Sequence, residues 1–243
     1  MRNLLATALV LMALISTSCT EDELSNIKQA EPDKSYSLYT SGTIQGFGFV
    51  DLGLSVKWAT CNLGADSPDE PGYYYKWGYT DPSNIKFDVF SWDDYAMRLS
   101  DGTLTAFNFL PEYSSEQYPP DSLYTLTEDL DPAKKLQGSQ WRMPTDDEFT
   151  ELRNNCRFVW SEYNGRKGYQ VTGPNGNSIF IPAGGFCNAY GLVMDGTSGC
   201  LWSSSISTFV PTRAYELTFC NGSINRGSVD RFYGENIRPV AVE

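Results

Sequence analysis

The chain has 243 residues and a formal net charge of −12, with 30 acidic residues, 18 basic residues and no histidine. This charge repels nucleic acid and anionic membrane surfaces, and the lack of histidine removes the commonest metal ligand and general base. With 15 Tyr, 13 Phe and 6 Trp, the chain is too aromatic for a disordered polymer, which predicts a packed, strand-rich domain.

The N-terminus has the pattern of a signal peptide over residues 1–18. Arg2 supplies a positive charge, residues 4–15 carry no charge, and small residues follow. The uncharged run is shorter than the roughly 20 residues needed to cross a bilayer, and no later segment approaches that length. The segment ending at Cys19 resembles a lipobox, in which the cysteine is acylated and becomes the lipid anchor. Ser16 stands where that pattern prefers Leu, which leaves ordinary signal cleavage as the alternative.

An acidic run directly after Cys19, Glu21 to Glu23, resembles the surface-export signal of Bacteroides-like lipoproteins. We therefore expect an outer-membrane protein, lipid-anchored and facing the cell exterior. Residues 19–43 are polar and without periodicity, which predicts a flexible tether. The remaining residues 44–243 suit one domain, with a proline-containing surface insertion at 81–140.

The clearest local signal is a helix that begins after Thr145. Thr145 and Glu148 form a capping-box pattern, and Asp146 and Asp147 complement the helix dipole, so we interpret these two carboxylates as structural. Before this helix, residues 46–60 predict two short strands and residues 73–79 predict another. After it, we predict strands at 158–163, 168–172, 178–182, 201–205, 214–219 and 236–242, with an Asn164-Gly165 hairpin turn, a second turn at 174–176 and a glycine-rich loop at 183–199. This pattern predicts an α+β fold.

Five motifs occur in an order that resembles a known family. They are VDLGLSVKWATCNLGA, WRMPTDDEFTEL, GYQVTGPNGNSIFIPAGG, LWSSS and NIRPV. This combination resembles the Fibrobacter succinogenes major paralogous domain and related Bacteroides lipoprotein modules, which have the C-type lectin-like fold also used by formylglycine-generating enzymes. The resemblance implies that the first and last strands of the domain lie together and that residues 183–199 form its ligand-facing side.

Candidate contact residues follow from that implied side of the domain. They are Asn188, Tyr190 and Asp195 in the long loop, with Asn221 and Arg226 beyond the following strand. Tyrosine and amide side chains suit sugar faces and hydroxyls or a protein epitope. Asn and Tyr in a glycine-rich loop also serve as turn residues, which is the structural alternative. Four tryptophans in strand or motif positions, at 58, 77, 141 and 202, are expected in the core, and Trp92 is expected to be exposed.

The triplets that hold calcium in true C-type lectins are absent from the long loop. We therefore expect no cofactor, although Asp88, Asp93, Asp94 and Asp101 leave room for a structural calcium. The reactive cysteine pair of formylglycine-generating enzymes is also absent, because Cys220 has no second cysteine after it. A weak match to a Bacteroides-type O-glycosylation acceptor occurs at residues 121–123.

Five cysteines follow Cys19, and we expect two disulfide bonds among them. Cys61 and Cys156 occupy motifs shared with the resembled family, which implies a bridge between them. Cys200 and Cys220 flank a predicted hairpin nearly symmetrically, which favours a second bridge and leaves Cys187 free. The alternative is that these residues are buried thiols.

The sequence therefore predicts a surface lipoprotein with a non-catalytic, lectin-like domain that binds glycan or extracellular protein. The alternatives are a structural or assembly component of a surface or fimbrial complex and, third, an oxidase-related enzyme.

Overall fold

The structure is a computed structural model that describes residues 40–83, Phe90, 125–210 and 212–242. Several predicted features lie outside these residues: the signal peptide, Cys19, most of the tether, Trp92, the O-glycosylation acceptor and the calcium candidates Asp88, Asp93, Asp94 and Asp101. Among the described residues, no helix is long and apolar enough to span a membrane.

A five-stranded antiparallel sheet joins the two ends of the domain. Its strands are β1 (Gly42–Ile44), β2 (Phe47–Val50), β3 (Lys57–Ala59), β4 (Trp141–Arg142) and β13 (Val240–Ala241), in the order β1-β2-β3-β13-β4. The C-terminal strand β13 lies between β3 and β4, so it shares one sheet with the N-terminal strands β1, β2 and β3. The tether boundary at residue 43 is wrong, because Gly42 and Thr43 pair with Phe49 and Gly48 in this sheet.

Residues 73–79 do not form the predicted strand. Only Tyr75 makes an isolated bridge, to Glu235. The segment instead packs its alternating aromatic side chains into the core, and the Trp77 indole donates to the Ser203 carbonyl at 2.8 Å. The sequence of this segment looks like a strand because alternate aromatic rings are buried. Its backbone pairs only at Tyr75, so no strand forms.

The predicted insertion at 81–140 ends too late, because residues 125–140 are packed structure. A 3-10 turn (Glu128–Leu130) leads into helix α1 (Pro132–Gln137), and Leu130 and Ala133 belong to the core. The Asp131 side chain caps α1 and also accepts a hydrogen bond from the Met143 amide at 2.8 Å. This carboxylate ties the end of the insertion to the chain that enters the next helix.

Helix α2 (Asp146–Asn155) begins as the sequence predicts. The Thr145 hydroxyl accepts from the Glu148 amide at 3.2 Å, and the Glu148 carboxylate accepts from the Thr145 amide at 2.8 Å. Phe149 and Leu152 lie on its buried face. The capping box therefore sets the register that points these two side chains at the core.

Strands β5 (Arg157–Tyr163), β6 (Arg166–Thr172) and β7 (Ser178–Pro182) form a meander, as predicted. Asn164 and Gly165 have φ of 48° and 83°, the left-handed conformation that a two-residue hairpin turn of this hand requires. The second turn, at 174–176, is closed by a hydrogen bond from the Gly173 amide to the Asn177 carbonyl.

In the C-terminal third of the chain, the strands differ from the predicted ones. Residues 183–199 contain a small hairpin of β8 (Phe186–Asn188) and β9 (Gly191–Val193), and a third sheet contains β10 (Ser198–Ile206), β11 (Arg213–Cys220) and β12 (Ser223–Asp230). Strand β12 was not predicted, because its sequence SINRGSVD has no apolar alternation. The predicted strand at 236–242 is reduced to β13.

The β10–β12 sheet buries side chains on both faces. Leu201, Leu217 and Phe219 face one core cluster with Phe149 and Trp58, whereas Trp202, Ile206 and Ala214 face a second cluster with Tyr75 and Trp77. All four predicted core tryptophans are fully buried. The described chain is thus mostly antiparallel strands with two α-helices, an α+β-like or mainly β architecture.

Candidate functional site

The β8–β9 hairpin projects an exposed aromatic side chain from a constrained turn. Asn188 Oδ1 accepts a hydrogen bond from the Tyr190 amide at 2.8 Å, and Gly191 has a φ of 95°. This Asx turn and the left-handed glycine close the hairpin. The Tyr190 side chain is 77% exposed, and Met194 at the end of the same hairpin is 41% exposed.

Asp195 lies beside this hairpin but is not a free ligand group. Its carboxylate forms an ion pair with the Arg166 guanidinium on β6, and both side chains are partly accessible. The pair links the segment after β9 to the β5–β6 hairpin. Asn188 and Asp195 therefore help to hold the hairpin in place, and Tyr190 is the most exposed of the three predicted contact residues here.

The other two predicted contact residues lie on the third sheet. Asn221 is exposed in the turn between β11 and β12, next to the start of β10, because Ser198 pairs with Cys220. Arg226 lies three residues beyond Ser223, the first residue of β12, which is about 10 Å at the usual rise of a strand, and it is opposite Leu217. The structure thus places Asn221 and Arg226 at different positions along the sheet.

Arg226 contacts its own fold rather than open solvent alone. Its Nε and Nη2 atoms both lie 2.7 Å from carboxylate oxygens of Asp146, and its guanidinium carbon is 3.8 Å from the centre of the Tyr215 ring. Asp146 hydrogen bonding is the largest factor that raises the pKa of Arg226. The residue holds the start of α2 against the sheet, and its role as a ligand contact stays a prediction.

Neither predicted disulfide bond forms. Cys61, Cys156, Cys187 and Cys200 are all free thiols. The register explains the second failure, since Cys200 faces Thr218 and Cys220 faces Ser198, which puts the two cysteines two residues out of step. In the first case, the Cys61 thiol contacts the Thr60 hydroxyl at 3.6 Å, while Cys156 packs against the main core. Burial raises the pKa of Cys156 to about 12.

A second candidate site is a buried group of Cys200, Glu216 and Glu235, which we call the thiol–carboxylate cluster. One ligand atom from each residue lies within 4.8 Å of the other two. Cys200 and Glu216 project from the same face of β10 and β11, and Glu235 follows β12 in a segment that pairs with β10 through Asn236 and Leu201. The sequence prediction missed this cluster. Its available signal was Glu216, an acidic residue in the otherwise apolar or neutral strand AYELTF.

The ionised forms of all three groups are disfavoured in this cluster. Burial raises the pKa of Glu216, and burial together with the charge of Glu216 raises the pKa of Glu235 well above its usual range. Burial, followed by the charges of both glutamates, raises the pKa of the Cys200 thiol. The three groups therefore favour their protonated forms, and their ionised forms would need a cation close by.

Comparison of the chain with known protein families, with curated protein sequences and with solved structures finds no match. The two sites therefore have to be interpreted from the chemistry of their own residues. The β8–β9 hairpin offers an exposed contact surface, and the thiol–carboxylate cluster offers a buried set of anionic donor atoms.

Proposed function

We propose that this chain is a surface lipoprotein whose C-type lectin-like domain binds an extracellular protein through the β8–β9 hairpin, without catalysis. The observation that carries this proposal is Tyr190, a large aromatic side chain 77% exposed on a turn closed by Asn188 and Gly191. A rigid tyrosine supplies a large contact area at a low cost in conformational entropy.

The fold assignment within this proposal has two supports. The five motifs of the resembled family span residues 50–240 in order. The position of β13 in the same sheet as β1, β2 and β3 also agrees with the implied meeting of the N- and C-terminal strands. Location at the outer membrane is supported by the lipobox-like segment at Cys19 and by the acidic run that follows it.

A protein ligand is favoured over a glycan because two of the predicted polar contact residues already form ion pairs within the domain. Asp195 is paired with Arg166, and Arg226 is paired with Asp146, so these side chains have fewer free positions for sugar hydroxyls. What remains exposed is Tyr190 with Met194, and methionine is frequent at surfaces that adapt to protein partners. A glycan ligand is the alternative that the experiment below separates.

A structural or assembly role is the second candidate, and one observation favours it. Phe209 is 82% exposed and Val210 is 40% exposed in the connection between β10 and β11. Strand β10 begins at Ser198, shortly after the β8–β9 hairpin, and ends at Ile206. The connection to β11 follows this far end of β10, so it forms a second apolar tip that is separate from the hairpin. A neighbouring subunit would bind this tip and not the hairpin.

The test is binding of the purified chain to protein and glycan arrays, with and without calcium. We expect protein ligands that are independent of calcium, and Tyr190→Ala should weaken their binding at least about tenfold, as for a central aromatic contact. Tyr73→Ala, at another exposed tyrosine, is the matched control and should bind normally.

Other outcomes would support one of the alternative functions. Loss of binding in Phe209→Ala but not in Tyr190→Ala would transfer the function to the second tip and to assembly. Binding only to glycans would show that the ligand is a glycan and not a protein. An array without any signal would contradict the proposal. For location, intact cells should expose the chain to added protease, and Cys19→Ala should release it from the membrane fraction.

A further inference from the structure

The thiol–carboxylate cluster brings three potential metal ligands together in the interior of the domain. Cys200 and Glu235 are both buried, and Glu235 is 1% exposed. Among the residues that the structure describes, Oε2 of Glu235 has no hydrogen-bond partner, although Glu235 lies in the cluster with the two other donor groups. An unpaired buried carboxylate oxygen costs free energy, which marks a position that another atom is expected to fill.

The surrounding residues leave room for the cluster. Gly227 lies opposite Glu216 on β12, and a methyl group there would be 2.5 Å from Oε1 of Glu216. A glycine at this position thus allows the Glu216 carboxylate to lie against the sheet. On the other side, the Cys200 thiol meets the Thr218 hydroxyl at 3.5 Å, a neighbour that stabilises the thiolate form.

The donor set selects the kind of ion. Calcium and magnesium bind oxygen donors, whereas a thiolate favours a softer ion. Zinc binds thiolate and carboxylate donors at about 2.0–2.3 Å, so tetrahedral donors lie about 3.3–3.8 Å apart. The donor atoms here are within 4.8 Å of one another, so a small inward movement of the side chains brings them to this spacing.

We propose that Cys200, Glu216 and Glu235 form a buried zinc site with three protein ligands and a fourth position for water. The three ligands come from β10, β11 and the segment after β12, so the ion joins two strands of the sheet to the segment that pairs with β10 at Leu201. Binding replaces the protons that the thiol and carboxyl groups hold in the metal-free chain, and up to about three protons are released for each ion bound. This proposal is independent of the hairpin function.

The test uses the purified chain, stripped of metal and reduced, with zinc and cobalt(II) as probes. We expect one zinc per chain by elemental analysis, proton release on titration in weak buffer, and a thiolate-to-metal absorption band with cobalt(II). Cys200→Ser should remove the band, and Glu235→Gln should weaken zinc binding at least about a hundredfold. Cys187→Ser, at another buried free thiol, should keep both.

Three results would overturn the proposal. The first is a wild-type chain that binds cobalt(II) without a thiolate band, a measurement that does not depend on how any variant folds. The second is equal zinc affinity in wild type, Cys200→Ser and Glu235→Gln, with folding checked by circular dichroism. Zinc binding that is lost in Cys187→Ser but kept in Cys200→Ser would place the site elsewhere.

Discussion

The guanidinium carbon of Arg226 lies 3.8 Å from the centre of the Tyr215 ring, diagonally across two adjacent strands of the third sheet. The same guanidinium binds Asp146 in the first turn of α2. Arg226 therefore connects the sheet to the helix that packs on it, through one cation–π contact and one ion pair.

Arg226→Ala should lower the free energy of unfolding by about 1 kcal/mol. The cation–π contact and a partly exposed ion pair each contribute less than that, because solvent screens both. Arg226→Lys should lie between wild type and Arg226→Ala, since it keeps the charge and loses the planar contact. Urea unfolding measures the change, with the exposed Arg153→Ala as control. Loss of ligand binding with unchanged stability would instead make Arg226 a contact residue.

Thr145→Ala should destabilise the chain by about 1 kcal/mol, because the Glu148 amide loses its side-chain acceptor. The effect reaches the whole domain because Phe149 and Leu152 of the same helix lie in the main core. Thr150→Ala is the matched control within the helix and should be neutral or slightly stabilising. Equal urea midpoints for the two variants would show that the cap contributes nothing.

Glu235 should make the metal-free chain less stable as the pH rises. Its pKa in the folded chain lies well above 4.5, so the folded state keeps a proton that the unfolded state releases. The contribution of this group is therefore fully present below about pH 4.5 and is lost as the pH rises through the folded-state pKa. Glu235→Gln should gain stability relative to wild type between about pH 5 and pH 8, measured by urea unfolding.

The control for this pH dependence is Glu162→Gln, at an exposed position on β5. This variant should follow the wild-type profile. If Glu235→Gln also follows the wild-type profile, the Glu235 carboxyl does not hold a proton in the folded chain.

The four cysteines that are free in the described part of the chain should all be alkylated when the chain is unfolded without reductant. In the folded chain, Cys187 and Cys200 should react slowly, because both are buried and burial raises the pKa of Cys187 to about 12. Mass spectrometry of labelled peptides measures both rates. A cross-linked peptide containing Cys61 with Cys156, or Cys200 with Cys220, would contradict the arrangement of thiols described here.

The sequence by itself determined the local features of this protein. The Thr145 capping box and the Asn164-Gly165 turn were predictable because each is made by hydrogen bonds or backbone conformations within a few residues. The four buried tryptophans were predictable because large apolar side chains in strand-like patterns are rarely left in water.

Only the tertiary structure decided which segments pair, in which register they pair, and where the chain after β12 lies. The segment at 73–79 has a strand-like pattern, but its pairing is restricted to Tyr75, and Cys200 lies opposite Thr218 instead of Cys220. Glu235 reaches Cys200 because the chain after β12 returns to pair with β10, where Asn236 bridges Leu201. Alternation in a sequence specifies which side chains share a face, but not which strands meet, because register is set by contacts between residues far apart in the chain.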